Sequence, residues 1–263
     1  IKLAIKNLIK TNFIDGVKII KLNRIEKFHS FTRELAFKLI DELEKSQNDE
    51  SIRAIMITAE GKAFCAGQDL NEAVEDNGLN IEKIISEHYN PLVLKIRNLS
   101  KPVIAAVNGV AAGAGASLAL CCDLIVAKKS AKFVQAFSKI GLIPDSGSSY
   151  FLPRLIGIQK AKALMITGDS IPAVEAEKIG MIYKYYEDDD FEKNSLNLAK
   201  NIASQATLSF SLIKKLINES YDNNLENQLE LEKKLQKIAS ESTDYKEGVN
   251  AFLNKRKPKF IGK

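Results

Sequence analysis

Two loops rich in small residues constrain this chain more than anything else in it. Ala63–Leu70 reads AFCAGQDL and Asn108–Ser117 reads NGVAAGAGAS. Each follows a short β-branched apolar run and leads into a polar or helical segment. Glycine and alanine let a backbone approach a ligand closely and present bare N–H groups to it. Two such loops in one chain predict a pair of main-chain donors facing one carbonyl oxygen, an oxyanion hole built without side chains.

The surrounding pattern sets the fold class. Val17–Leu22 alternates apolar and polar residues and reads as a half-exposed strand, with Ile1–Ile9 as its partner across a turn at Asp15–Gly16. Thr32–Lys45 reads as a helix with Leu35, Leu39 and Leu43 on one face and Thr32 as its cap. Short apolar strands are expected at Ala54–Thr58, Pro102–Val107, Asp123–Ala127 and Lys132–Val134, with helices at Ser86–Leu99 and Ser117–Cys122 between them. Residues 71–82 read as polar and irregular. Strands alternating with helices argue for crossover units and a largely parallel sheet. Beyond Gln159 the pattern is helical, with one strand at Met181–Tyr186 and helices at Ala206–Tyr221, Leu225–Ser240 and Tyr245–Lys255. The expectation is an α/β core over residues 1–200 and a helical C-terminal region over 201–263.

Composition excludes more than it proposes. With 45% hydrophobic and 27% charged residues, the 263-residue chain is long enough to bury a full core and resembles an ordinary globular protein. A net charge of +5 comes without a basic arm or a nucleic-acid motif; the densest cluster, Lys255–Lys259, reads as a solvated end or as a contact for an anionic ligand. Three cysteines, two of them adjacent, give no disulfide framework and point to a reducing compartment. No metal spacing appears, and the longest apolar run, Val110–Cys122, is too short for a bilayer. A cytoplasmic location without membrane or nucleic-acid partners is expected.

Few side chains are placed for chemistry. Gly113–Gly115 reads either as tight helix–strand packing or as a helix N-terminus that stabilises negative charge, and its spacing is wrong for a dinucleotide fingerprint. Asp145 or Ser146 could cap a helix holding Tyr150 and Phe151. Alternatively, Asp145 is a carboxyl in an apolar pocket beside Ile143 and Pro144, where burial raises its pKa and fits it for acid/base work. Cys65 reads as a small buried residue, His29 as a surface or packing residue, and His88 and Tyr89 as pocket-lining or surface residues. A serine hydrolase is disfavoured by the lack of a Gly-x-Ser-x-Gly elbow around Ser146.

Taken together, Phe64–Leu70, Lys101–Gly109, Cys122–Ile125 and Gly141–Pro144 resemble the crotonase (enoyl-CoA hydratase/isomerase) superfamily, nearly from end to end. The resemblance implies a ββα superhelix core, a C-terminal trimerisation section and an acyl-CoA thioester substrate, with no cofactor beyond the CoA carried by that substrate. It implies a homotrimer or a hexamer of paired trimers. Carried over by motif, the oxyanion donors are the N–H groups of Gln68 and Ala114. Ala63 and Ala66 receive the adenine, Asp69 and Leu70 shape the loop, and Lys27 contacts CoA phosphates. Gly113, Tyr89 and Phe137 join them as substrate- or CoA-binding residues. Hydratases of the family use two glutamates; this chain has Ser117 and Phe137 at those positions, which disfavours hydration. Asp145 stands where several isomerases and a dehalogenase of the family place a catalytic aspartate. Phe64–Asn71, Tyr89–Val93, Phe133–Asp145 and Asp244–Val249 narrow the likeness to the family's branch of phenylacetyl-CoA ring-epoxide isomerases, with Ile25, His29 and Ser148–Ser149 as departures. The implied activity is a one-acid isomerase that moves a proton or double bond, or rearranges a ring epoxide. An enoyl-CoA hydratase, another enzyme of the family and a non-catalytic acyl-CoA binder are the alternatives.

Overall fold

The computed structural model describes residues 7–74 and 80–263. Among the described residues, ten strands form two sheets. The larger has the order β1 (Ile9–Ile14), β2 (Val17–Leu22), β3 (Ala54–Ala59), β5 (Val103–Val107), β7 (Leu124–Lys128), β10 (Lys184–Tyr186). It is parallel throughout except for the β1–β2 hairpin. The smaller runs β4 (Ala63–Cys65), β6 (Val110–Ala112), β8 (Lys132–Val134), β9 (Ser170–Pro172), parallel except for the last pair. The helices are α1 (Arg33–Asn48), α2 (Leu70–Val74), α3 (Ile81–Ile84), α4 (Asn90–Asn98), α5 (Ala114–Leu120), α6 (Ser148–Ile156), α7 (Ile158–Thr167), α8 (Ala173–Lys178), α9 (Phe191–Ala203), α10 (Thr207–Glu219), α11 (Leu225–Glu241) and α12 (Thr243–Leu253). The pairs β3–β4, β5–β6 and β7–β8 each give one strand to each sheet before the chain turns into helical structure, so the core is a ββα superhelix.

Side-chain alternation builds the core on both faces of the large sheet. Ile20, Leu22, Ile55, Ile57, Val103 and Ala105 point to the face covered by α1 and the smaller sheet. Ile19, Ala54, Met56, Ile104 and Val126 point to the other face, closed by Phe191, Ala199 and Ala203 of α9. The helical C-terminal section is fastened to the core by α10. The buried Lys214 ammonium donates to the Ile96 carbonyl at 2.6 Å and to Asp123 Oδ2 at 2.8 Å, and Asn218 donates to the Arg97 carbonyl at 3.2 Å.

Several expectations need correction. The partner of β2 is Ile9–Ile14, not Ile1–Ile9; residues 1–6 lie outside the described residues, while the turn is at Asp15–Gly16 as expected. Residues 71–82 are not uniformly irregular: α2 and α3 occupy both ends, and 75–79 lie outside the described residues. The segment before α4 is a π turn, Ile85–Tyr89. Helix α5 starts at Ala114, three residues earlier than the apolar pattern indicates. Strands β4, β6 and β9 are three residues each, too short to show a period.

Candidate active site

The two small-residue loops meet because of the small sheet. β4 and β6 are parallel neighbours, with Ala63 opposite Val110 and Cys65 opposite Ala111. Neighbouring strands lie about 4.8 Å apart. The chain therefore leaves both strands side by side, into 66–69 from one and into Gly113 and α5 from the other. Glycines set the closeness. A Cβ on Gly115 would lie 2.3 Å from the Cys65 carbonyl oxygen, and one on Gly67 would lie 3.0 Å from the Ala112 carbonyl oxygen and 3.5 Å from the Ala114 nitrogen. Gly67 (φ +92°) and Gly113 (φ +51°) also hold backbone conformations that side chains disfavour.

Peptide geometry then fixes where the two N–H groups point. The Gly67 carbonyl accepts the Phe31 N–H at 2.7 Å. In a trans peptide the N–H lies opposite the carbonyl, so the Gln68 N–H points away from Phe31. The Gly113 carbonyl accepts the Ser117 N–H at 3.1 Å and the Ser117 hydroxyl at 3.3 Å, inside α5. The Ala114 N–H therefore points out of the first turn, where no i−4 carbonyl exists. Among the described residues neither N–H has a backbone acceptor. This arrangement can hold an oxygen that gains negative charge.

The rest of the 66–70 loop is fixed by charge. The Arg24 guanidinium donates to Asp69 Oδ2 at 2.6 Å and to the Ser30 carbonyl at 3.0 Å. Burial pushes the Asp69 carboxyl up, but the Arg24 and Asn71 hydrogen bonds and the Arg24 and Lys27 charges bring it below its ordinary value. Asp69 is thus a tether for the loop. Ala63 is buried in β4, whereas Ala66 and Leu70 are exposed beside it, and the exposed Lys27 ends a 3-10 turn whose next carbonyl, on Phe28, accepts the Ala66 N–H. His29 is not at the surface. Its buried ring accepts the Arg24 N–H at Nδ1 (3.0 Å) and donates from Nε2 to the Glu60 carbonyl (2.7 Å), and desolvation holds its pKa down.

Tyr89 stands against this loop, Phe137 against Gly113, and Asp145 lies near Tyr89. Phe137 is buried with its ring tip 3.9 Å from the Cβ position of Gly113. Tyr89 is buried, donates to Gln68 Oε1 at 2.8 Å and packs edge-on against Phe31. Burial, then the charges of Cys65, Asp145 and Glu72, push its phenol well above the ordinary value, so it stays a donor. Asp145 is close enough to contribute to that shift. Neither Asp145 nor Ser146 caps α6: the cap position is Gly147, at φ +79°, without a side-chain bond. Instead the Ser146 hydroxyl donates to Asp145 Oδ1 at 2.8 Å, and desolvation raises the Asp145 carboxyl despite that bond. Ser148 anchors the same turn, its N–H on the Asp145 carbonyl (2.9 Å) and its hydroxyl on the buried Gln135 Oε1 (2.8 Å). The Ser117 hydroxyl is turned back on its own helix, and burial pushes the Cys65 thiol up to about 12.

Residues 12–263 match the enoyl-CoA hydratase/isomerase family. The chain belongs to that family, the crotonase superfamily. It is 45% identical over 255 residues to the 1,2-epoxyphenylacetyl-CoA isomerase of Escherichia coli (strain K12), covering 94% of this chain and 96% of the relative. It is 32% identical to the trans-2-decenoyl-[acyl-carrier-protein] isomerase of Streptococcus mutans, covering 96% and 97%. The crystal structure of an enoyl-CoA hydratase from Bacillus anthracis superposes with a TM-score of 0.91 at 32% identity, over 98% of this chain and all of that one. Set in this crotonase frame, the site has members that motif reading missed: Arg24, Glu72, Gln135 and Ser146. Arg24 and Gln135 are separated in sequence from the small-residue loops, Ser146 is masked by turn chemistry, and Glu72, just past the first loop, shows its role only through its contacts with Gln68 and Arg33.

Proposed function

We propose that this crotonase is an acyl-CoA isomerase that uses Asp145 as its single acid/base, with the N–H groups of Gln68 and Ala114 as the oxyanion hole. The observation that carries the reading is the pairing of one desolvated carboxyl with Ser117 and Phe137, neither of which supplies a second acid. With a 3-enoyl thioester, the Asp145 carboxylate removes a proton from C2. The electron pair moves into a dienolate whose oxygen is held by the two donors. The Asp145 carboxylic acid then returns the proton to C4, and the double bond shifts with no atom gained or lost. Each donor is worth roughly 3–4 kcal/mol of barrier in comparable sites. The relatives named as isomerases favour this chemistry, and the first of them favours rearrangement of a phenylacetyl-CoA ring epoxide as one instance. Lys27, Ala63, Ala66, Asp69 and Leu70 are assigned to the CoA end of the substrate and Gly113, Tyr89 and Phe137 to the acyl end. No cofactor besides the substrate's own CoA enters these steps.

The decisive experiment follows a 3-enoyl-CoA in heavy water with wild type and Asp145→Asn. Deuterium uptake and a double-bond shift by wild type alone support the reading. Full activity in the variant, or water addition to crotonyl-CoA as the main reaction, overturns it. We also infer that residues 201–263 serve assembly into trimers or paired trimers in the cytoplasm. Phe252 and Leu253, 82% and 73% exposed at the end of α12, support an apolar contact between protomers. Light scattering that finds a monomer overturns that assignment.

A further inference from the structure

We propose that the Gln68 side chain is a strut that aims its own backbone N–H, held at one end by Tyr89 and at the other by Glu72. The inference rests on the reading of that N–H as an oxyanion donor. The amide is satisfied on both sides: Tyr89 donates to Oε1 at 2.8 Å, and Nε2 donates to Glu72 Oε2 at 3.1 Å. A carboxylate only accepts, so the amide nitrogen faces Glu72 and the oxygen faces the phenol. Glu72 is itself anchored. Both of its oxygens accept the Arg33 N–H, at 3.0 and 3.1 Å, at the N-terminal turn of α1, where the helix dipole favours an anion.

The backbone on either side of Gln68 is pinned by Phe31, through the Phe31 N–H on the Gly67 carbonyl and the Asp69 N–H on the Phe31 carbonyl, at 2.7 and 2.8 Å. Those bonds fix the peptide plane along one edge. The side chain fixes its tilt on the other, because Cα cannot rotate while the amide is clamped at both ends. The π turn Ile85–Tyr89 sets the Tyr89 ring edge-on against Phe31, in position for its hydroxyl to reach the amide. Tyr89 is thus a positioning residue, and its phenol spends its hydrogen bond on the loop.

The test separates this inference from the reading beneath it. Cinnamoyl-CoA is bound to wild type, Tyr89→Phe, Gln68→Leu and the double variant, and its thioester carbonyl stretch is read by difference infrared spectroscopy. Wild type is expected to lower the stretch. Each single variant is expected to lose a large part of that shift and about tenfold in kcat, with KM within threefold, and the double variant to be no worse than either single one, as coupled groups behave. Tyr89→Phe keeps the ring that packs on Phe31, and Gln68→Leu gives a second readout if Tyr89→Phe fails to fold. A wild-type carbonyl shift in both single variants overturns the strut while the oxyanion reading stands. No shift in wild type overturns both.

Discussion

Gly115→Ala perturbs the site through main-chain spacing alone. The added methyl would sit 2.3 Å from the Cys65 carbonyl oxygen and 2.7 Å from the Cys65 Cβ, and Cys65 is fully buried. Real Cβ contacts stay beyond 3.0 Å, so α5 and the end of β4 have to part by about 0.7 Å. That separation falls between the two donors, since Ala114 opens α5 and Gln68 follows β4. A misplacement approaching 1 Å costs on the order of 10²-fold, similar to losing one oxyanion donor. The variant is expected to lose about 10²-fold in kcat on a 3-enoyl-CoA and roughly 1–3 kcal/mol of stability from overpacking. Affinity for free CoA, which has no thioester carbonyl, is expected to be unchanged. Steady-state kinetics, calorimetric CoA binding and thermal melts on one preparation check all three. A folded variant with wild-type kcat would refute the claim that the spacing of these two N–H groups governs the reaction.

Other consequences can be measured independently. Because desolvation raises the Asp145 carboxyl, and the base must be ionised in the free enzyme, kcat/KM is expected to fall with decreasing pH through a midpoint above 3.8; activity flat to that pH argues against Asp145 as the base. Ser146→Gly removes a bond that holds this pKa down and suits the φ of +53°, so the acid limb is expected to move to higher pH without loss of fold. Lys214→Met takes the nearer cation from the half-buried Asp123, leaving Arg97 at 3.7 Å, and is expected to cost about 1–3 kcal/mol in urea unfolding; an unchanged midpoint refutes the fastening role of this pair. Asp244→Ala releases the Ile261 and Gly262 N–H groups, both held at 2.7 Å, and is expected to make the last residues cleavable in limited proteolysis at unchanged kcat. The three buried thiols are expected to resist a thiol reagent in the native protein and to react only after unfolding.

The sequence made the longer elements legible and, apart from β8, whose Lys132–Val134 bounds were expected, left the shortest strands opaque, for a physical reason. Val17–Leu22 and Ala54–Ala59 carry enough alternating or continuous apolar residues to declare themselves, and Thr32 caps its helix as its residue type suggests. β4, β6 and β9 are three residues long, and a period cannot be read from three positions. Yet β4 and β6 are the strands that bring the two special loops together. The loops were visible as composition; their adjacency was not. Asp145 was ambiguous in sequence because a helix cap and a buried acid share the same residue type. The structure separates the two by placing a left-handed glycine at the cap and the Ser146 hydroxyl on the carboxylate. Glu72 and Tyr89 gave no signal for their link to Gln68, since that link depends on a π turn and a helix terminus that only the folded chain brings to one place.

If, as proposed, the anion-holding half of the site is main chain and the proton-moving half is one side chain, the site drifts unevenly under mutation. Apart from proline, no replacement at Gln68 or Ala114 deletes the amide hydrogen there, so on this reading a substitution at Gln68 loosens the donor's aim but leaves the donor in place. The carboxyl at position 145 has no such shelter: one substitution removes it, and an acid gained at 117 or 137 would offer a different chemistry over the same carbonyl. The scaffold therefore conserves the kind of molecule it accepts more readily than what it does to it, which leaves reaction type as the trait most open to divergence.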